Sequence, residues 1–162
     1  MNSPFVAIAN PPPKGVESAV ANDGFWPDVD CEQLRRDKRL DGTVTAERLR
    51  DAVESVMWAV NAELAAWQAE QLAAGHATLA DVPAPMLGGE SLKAKQYRRA
   101  IYAGVQSELA EAYRDMDILP DGLGKEGRVR SKLELRVDGF NTNMRHAIAD
   151  LLGKPRVIAE LL

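Results

Sequence analysis

A chain of 162 residues, 46% hydrophobic and 27% charged, has the length of one domain and enough apolar content to bury a core, which excludes disorder over the whole chain. The net charge of -4 argues against a dedicated nucleic-acid binder. A single cysteine, Cys31, excludes an internal disulfide framework and fits a reducing cytosol.

Residues 1–24 read as an extended arm. Pro4 and the run Pro11-Pro12-Pro13 favour polyproline geometry and remove backbone donors, leaving Phe5, Val6 and Ile8 as apolar anchors. Such an arm is either disordered or ordered only against another surface. Phe25 and Trp26 follow and pin the start of a short helix over 31–39, capped by Asp30 and ended by the turn Asp41-Gly42. The first long helix is predicted over 46–74, with Thr45 as N-cap, Glu47 and Asp51 in or near the first turn, and Gly75 at the C-terminus. Its apolar positions Leu49, Val53, Val56, Val60, Leu64 and Trp67 form one continuous stripe.

Pro83, Pro85 and Gly88-Gly89 forbid a helix through 76–89, which reads as a loop. A second long helix starts at Glu90 or Ser91 and reaches Met116, with Tyr97, Ile101, Val105, Leu109, Ala112 and Met116 on its stripe. Gly104 lies within that stripe, where a glycine permits a close helix crossing. After a turn at 120–124, a third long helix runs over 125–152 on Val129, Leu133, Val137, Phe140, Met144, Ala147 or Ile148, and Leu151. Gly139 weakens it locally, and Gly153 with Pro155 stops it. The expected fold is all-α: an elongated antiparallel bundle of three long helices and one short one over 25–155, with no clear strands. The extended N-terminal arm precedes it and an apolar C-terminal tail, 156–162, follows.

The inventory is poor in chemistry. His76 and His146 have no His or Cys at ligand spacing, so no metal is expected and both read as structural. Cys31 lacks a partner that would activate it. Gly122-Leu123-Gly124-Lys125 lacks the strand and the Ser/Thr of a phosphate loop, and no serine has a nucleophile-elbow context. Glu108 with Glu111, and Asp115 with Asp117, read as solvated helix surface. No cofactor is implied, and a non-enzyme is the expectation. No apolar run reaches the roughly 18 residues of a membrane span, and no signal peptide is evident, so a soluble protein made in the cytoplasm is expected.

Three basic clusters remain: Arg35-Arg36-Lys38-Arg39, Lys93-Lys95-Arg98-Arg99 and Arg128-Arg130-Lys132-Arg136. Acids flank the first and third. Lys93, Lys95, Arg98 and Arg99 have no acid among them and form the best candidate for a patch facing phosphates or an acidic partner. Trp58 lies beside the first core stripe and reads as a subunit-interface residue, as do Trp26 and the arm residues Phe5, Val6 and Ile8.

One resemblance spans about residues 25–157. Phe25-Trp26-Pro27-Asp28-Val29-Asp30, Thr45-Ala46-Glu47-Arg48-Leu49-Arg50, Asn61-Ala62-Glu63-Leu64, Leu79-Ala80-Asp81-Val82-Pro83, Gly89-Glu90-Ser91 and Gly153-Lys154-Pro155-Arg156 follow one another in this order. The chain thereby resembles the head completion (head stabilisation) proteins of temperate contractile-tailed phages, the GpL family. The match is poor between Met116 and Val129, and residues 1–24 lie outside it.

The resemblance implies a helical head-tail connector, or adaptor, in the virion neck. It would form a homo-oligomeric ring of twelve subunits under the portal, close the DNA-filled head and provide the platform for the tail. The implied partners are the portal protein and a tail terminator or tail-side completion protein, with genomic DNA passing the channel without sequence-specific binding. The tail residues Arg156, Val157, Ile158, Leu161 and Leu162 are then the candidates for docking on the portal, in the manner of an added strand. The alternative from the residues alone is a helical nucleic-acid-binding or regulatory protein that uses its basic clusters.

Overall fold

Capping chemistry sets the helix boundaries. The computed structural model describes residues 17–116 and 126–156, with side chains over 17–112 and 136–156. Helix α1 (Cys31–Lys38) begins where the extended Asp30 accepts a 2.9 Å hydrogen bond from Gln33 N. Helix α2 (Ala46–Ala73) begins where Thr45 accepts from Arg48 N, and Gly75, at φ 94°, turns the chain away from its end. A single 3-10 turn (Leu79–Asp81) and a short hairpin, β1 (Met86–Leu87) and β2 (Glu90–Ser91), lead into α3 (Leu92–Met116). Helix α4 (Glu126–Leu152) ends at Gly153, φ 67°, where Lys154 N donates to Ala149 O at 2.9 Å. The protein is thus mostly helical, with four α-helices of 8, 28, 25 and 27 residues and one small sheet among the described residues.

Helix α3 is central. Both α2 and α4 pack chiefly on it, and they touch each other much less. Tyr97 of α3 bonds Asn61 of α2, while Lys93, earlier on α3, lies over the Trp67 ring later on α2, so the two run antiparallel. Lys93 also reaches Leu151 O near the end of α4, whereas Gly104 meets Met144, so α4 is antiparallel to α3 as well. The expected stripes form the core: Leu49, Val53, Val56, Val60 and Leu64 are buried, as are Tyr97, Ile101, Val105, Leu109, Val137, Ala147, Ile148 and Leu151. Gly104 has the predicted role, since a Cβ there would lie 2.6 Å from Val56 Cγ1 and 2.9 Å from Met144 Sδ.

Four expectations need correction. Residues 17–24 are not part of a free arm: Val20 and Val29 exchange backbone hydrogen bonds of 2.8 and 3.0 Å, and Arg35 Nε donates to Glu17 at 2.9 Å with both side chains buried. The segment over 76–89, expected as a loop without strands, holds a 3-10 turn and the first strand of a hairpin. Leu79 is buried, and Gly88 and Gly89, both at positive φ, form a two-residue hairpin turn that pairs Met86 with Ser91 and Leu87 with Glu90. Helix α1 ends where expected, but the residue that stops it is Arg39, in the left-handed region at φ 51°, rather than the turn at Asp41-Gly42. Ala112 is exposed rather than on the buried stripe. Phe5, Val6, Ile8, the turn at 120–124 and the side chains of Met116, Val129 and Leu133 lie outside the described residues.

Candidate interaction surfaces

The segment 20–29 is clamped onto α2 and α3 by polar and aromatic contacts. Tyr97 Oη donates to Asn61 Oδ1 at 2.7 Å, Asn61 Nδ2 donates to Asn22 Oδ1 at 2.8 Å, and Asn22 Nδ2 donates back to Tyr97 Oη at 2.9 Å. This closed ring satisfies polar groups that would otherwise be orphaned beneath the segment. Beside it, Trp26 stacks on Tyr97 with centroids 4.7 Å apart and on Trp67 at 5.9 Å, with Phe25 edge-on at 4.9 Å. Trp26 Nε1 donates to Gln68 Oε1 at 3.2 Å. Trp26 is therefore corrected: at 2% exposure it is an intramolecular core residue, and it offers no surface to a neighbouring subunit.

Trp58 is the opposite case. It is 77% exposed, on the face of α2 directed away from the core. With Ala62, Ala65, Ala69 and Leu72, all exposed, it forms a second stripe at steps of 4, 3, 4 and 3, the spacing of a helix–helix seam. Met86 and Leu87 at the hairpin, 67% and 59% exposed, form a second apolar spot. A third feature is a cleft of about 400 Å³ bordered by Lys38, Arg39, Asp41, Gln106, Arg136 and Phe140.

The four basic residues grouped from sequence do not form one patch. Lys93 points inward, donates to Leu151 O and lies 5.6 Å from the Trp67 ring centroid, and burial pulls its pKa down. Arg98 pairs with Glu90 across the start of α3. Lys95 lies beside the hairpin, with Nζ 3.4 Å from where a Cβ on Gly88 would be, and Arg99 is exposed on the side of Asp150. Asp150 was invisible as a neighbour of Arg99 because it is far along the chain, whereas Glu90 stands only three residues before Lys93. Arg156 donates twice to Asp150, at 2.9 and 2.7 Å, and holds that carboxyl below the usual range. Val157, Ile158, Leu161 and Leu162 lie outside the described residues.

Other polar residues have structural surroundings. Cys31 is buried, and burial with the Glu17 charge pushes its thiol pKa up, the reverse of activation. Glu108, expected on a solvated face, is partly buried and bonded by Ser55, with its carboxyl pushed up by desolvation. Among the described residues no three His, Cys, Asp or Glu side chains gather as a metal site, and no helix is long and apolar enough to cross a membrane. The Gly-Gly pair was the sequence signal for the hairpin and its exposed apolar tip, which the loop reading missed.

The family model described as phage head completion protein (GPL) matches residues 20–162. The chain belongs to this family. It is 40% identical over 151 residues to the head completion/stabilization protein of Escherichia phage P2, covering 93% of this chain and 87% of that protein. A probable head completion/stabilization protein of Haemophilus phage HP1 (strain HP1c1) is 19% identical over 140 residues, covering 86% of this chain and 89% of the relative. No solved structure matches the chain. The family match begins at Val20, the residue whose bridge to Val29 starts the clamped segment.

Proposed function

We propose that this protein is a structural head-tail connector, a virion subunit that forms a ring under the portal, closes the DNA-filled head and offers the platform on which the tail docks. The observation that carries the reading is the family match over residues 20–162, which gives a structural role in phage head completion. The finer assignment draws further support from the exposed seam on α2 and the apolar hairpin tip, surfaces of the kind that large assemblies cover. The proposed ring has twelve copies. Its partners are the portal protein on one side and a tail terminator or tail-side completion protein on the other, within the neck of the virion. A subunit with net charge -4 would let genomic DNA pass without adhering to the channel. Residues 156–162 are the proposed portal-docking tail and residues 1–16 the proposed arm toward a neighbouring subunit. The role is one of assembly, without catalysis or cofactor.

The test is the mass of complexes formed by the full chain with its cognate portal ring. Ring-shaped complexes that disappear when residues 157–162 are deleted are expected. Failure to join the portal, combined with salt-sensitive retardation of duplex DNA, would replace this reading with the nucleic-acid-binding alternative.

A further inference from the structure

The cleft of about 400 Å³ has a chemistry that nothing in the described body uses. Leu40, Leu109 and Phe140 give it an apolar wall, and Lys38, Arg39 and Arg136 stand around it. None of these three cations pairs with a carboxylate among the described residues. Asp41, the acid on the border, is occupied by Thr43, which donates to it from its backbone N and from its hydroxyl. The cleft therefore suits an apolar segment that carries a negative charge. The ends of the α3–α4 linker, Met116 and Glu126, stand about 9 and 15 Å beyond Ala110 and Arg136 at 1.5 Å per residue. Two terminal segments remain, and charge separates them. Residues 1–16 carry Lys14 and no acid, whereas residues 157–162, Val-Ile-Ala-Glu-Leu-Leu, carry Glu160 and no cation.

Geometry favours the second. The chain turns at Gly153, and Arg156 reaches back to donate twice to Asp150, so the tail starts beside the end of α4. Asp150 lies in the field of Arg99 of α3. Steps of seven residues, about two helical turns, lead from Asp150 through Asn143 to Arg136 and from Arg99 to Gln106. The α3 and α4 faces that meet at Asp150 are thus the ones that border the cleft. Asp150 and Arg136 are about 21 Å apart along the helix at 1.5 Å per residue. The six steps from Arg156 to Leu162 span about 20–22 Å when extended. We infer that residues 157–162 lie back along the α3–α4 boundary of their own chain, with Leu161 and Leu162 on the apolar wall of the cleft and Glu160 facing Arg136. The contact is a latch on the tail. Where that tail is the portal-docking segment proposed above, the portal must displace the latch, and apparent affinity falls with the fraction of chains whose tail is free. That consequence rests on the connector reading, whereas the latch itself does not.

The test is disulfide trapping in the full chain carrying Ala110→Cys with Leu161→Cys, under mild oxidation and read by mass and non-reducing gel. Most chains are expected to close one internal disulfide at the 17.7 kDa subunit mass, with unchanged circular dichroism, while buried Cys31 stays out of the exchange. Trp58→Cys with Leu161→Cys, which places the thiol on the outward face of α2, is expected to link at least tenfold more slowly. Adding Arg136→Glu to the first pair slows its closure at least fivefold, and Arg136 is exposed, so the fold is unaffected. Equal rates for the two pairs overturn the latch, as does an unchanged rate with Arg136→Glu. Linked dimers in place of internal disulfides give the cleft to the tail of a second copy and overturn it too. Portal binding is then measured on the same samples. The oxidised pair is expected to bind the portal at least tenfold more weakly than the reduced one, and reductant restores binding. Equal binding in both states refutes control of docking by the latch. Trapped disulfides with no portal binding in either state count against the connector reading and leave the latch standing.

Discussion

The same substitution at two glycines, Gly104→Ala and Gly139→Ala, is expected to shift stability in opposite directions. Helix propensity alone favours both changes by about 1 kcal/mol. At Gly139 nothing opposes that gain, because the new Cβ enters open space. At Gly104 the Cβ would lie 2.6 Å from Val56 Cγ1, 2.9 Å from Met144 Sδ and 3.4 Å from Val56 Cγ2. Met144 is unbranched and can shift. Val56 is buried and β-branched, and in a helix it has one strongly preferred rotamer, so α2 itself must move. Overpacking of this kind costs about 1–3 kcal/mol, and with so stiff a neighbour the upper half of that range applies. The net loss is then about 1–2 kcal/mol at Gly104, against a gain of about 1 kcal/mol at Gly139. At about 2–4 °C per kcal/mol for a chain of this size, the melting temperatures of the two variants separate by roughly 4–12 °C. Thermal and urea melts followed by circular dichroism, at concentrations where the protein is monomeric, measure this. The double variant Gly104→Ala with Val56→Ala should lose less stability than the sum of the two single changes, a non-zero coupling energy. If Gly104→Ala stabilises as much as Gly139→Ala, the close crossing of α2, α3 and α4 at this point is wrong.

Other consequences concern the polar groups. Tyr97→Phe opens the ring with Asn22 and Asn61 and is expected to cost about 1–3 kcal/mol in urea unfolding, far more than its small volume change would suggest. An unchanged midpoint would show that the ring contributes nothing. Arg35→Met leaves Glu17 buried without its partner and removes the bonds to Asp41 O and Val44 O, for an expected loss of about 3–5 kcal/mol. Adding Glu17→Gln should restore a measurable part of it. Stability should also fall in alkali. Burial pushes the Tyr102 pKa up to about 12 and raises that of Tyr97 further, so the folded state favours the neutral phenols. Their contribution is complete below pH 10, the ordinary tyrosine value, and is lost as pH rises through about 12. In an alkaline titration, tyrosinate absorbance from these two residues should rise together with loss of helix. Ionisation of all three tyrosines near pH 10 with the helices intact would refute the assigned burial.

Much of the secondary structure was legible because it is decided over a few residues. Asp30, Thr45 and Gly153 act on backbone groups within one helical turn of themselves, and the stripe from Leu49 to Leu64 needs only a period of 3.6 to be seen. The Gly88-Gly89 hairpin was equally local, and it was missed because the glycine pair was read, with Pro83 and Pro85, only as a barrier to helix and not as a two-residue turn. The family resemblance was legible too, carried by short segments in a fixed order, and the match over residues 20–162 agrees with it.

What sequence alone left undecided is the fate of residues whose type allows several environments. The three tryptophans illustrate it: Trp26 is buried, Trp67 is partly buried against the core, and Trp58 is open to solvent. Periodicity relates Trp58 and Trp67 because they share a helix, but Trp26 acquires its place from Tyr97 and Gln68, which are 71 and 42 positions away. The same holds for charge. Lys93, Lys95, Arg98 and Arg99 are neighbours in sequence, yet α3 spreads them around its axis, and Leu151 O, Glu90 and Asp150 reach three of them from other elements. A helix, and the stripe it buries, follow from the short-range geometry of the backbone. Which charges stay free, and which aromatic side chain remains for a partner, depend on what the rest of the chain brings alongside, and only the packed tertiary structure determines that.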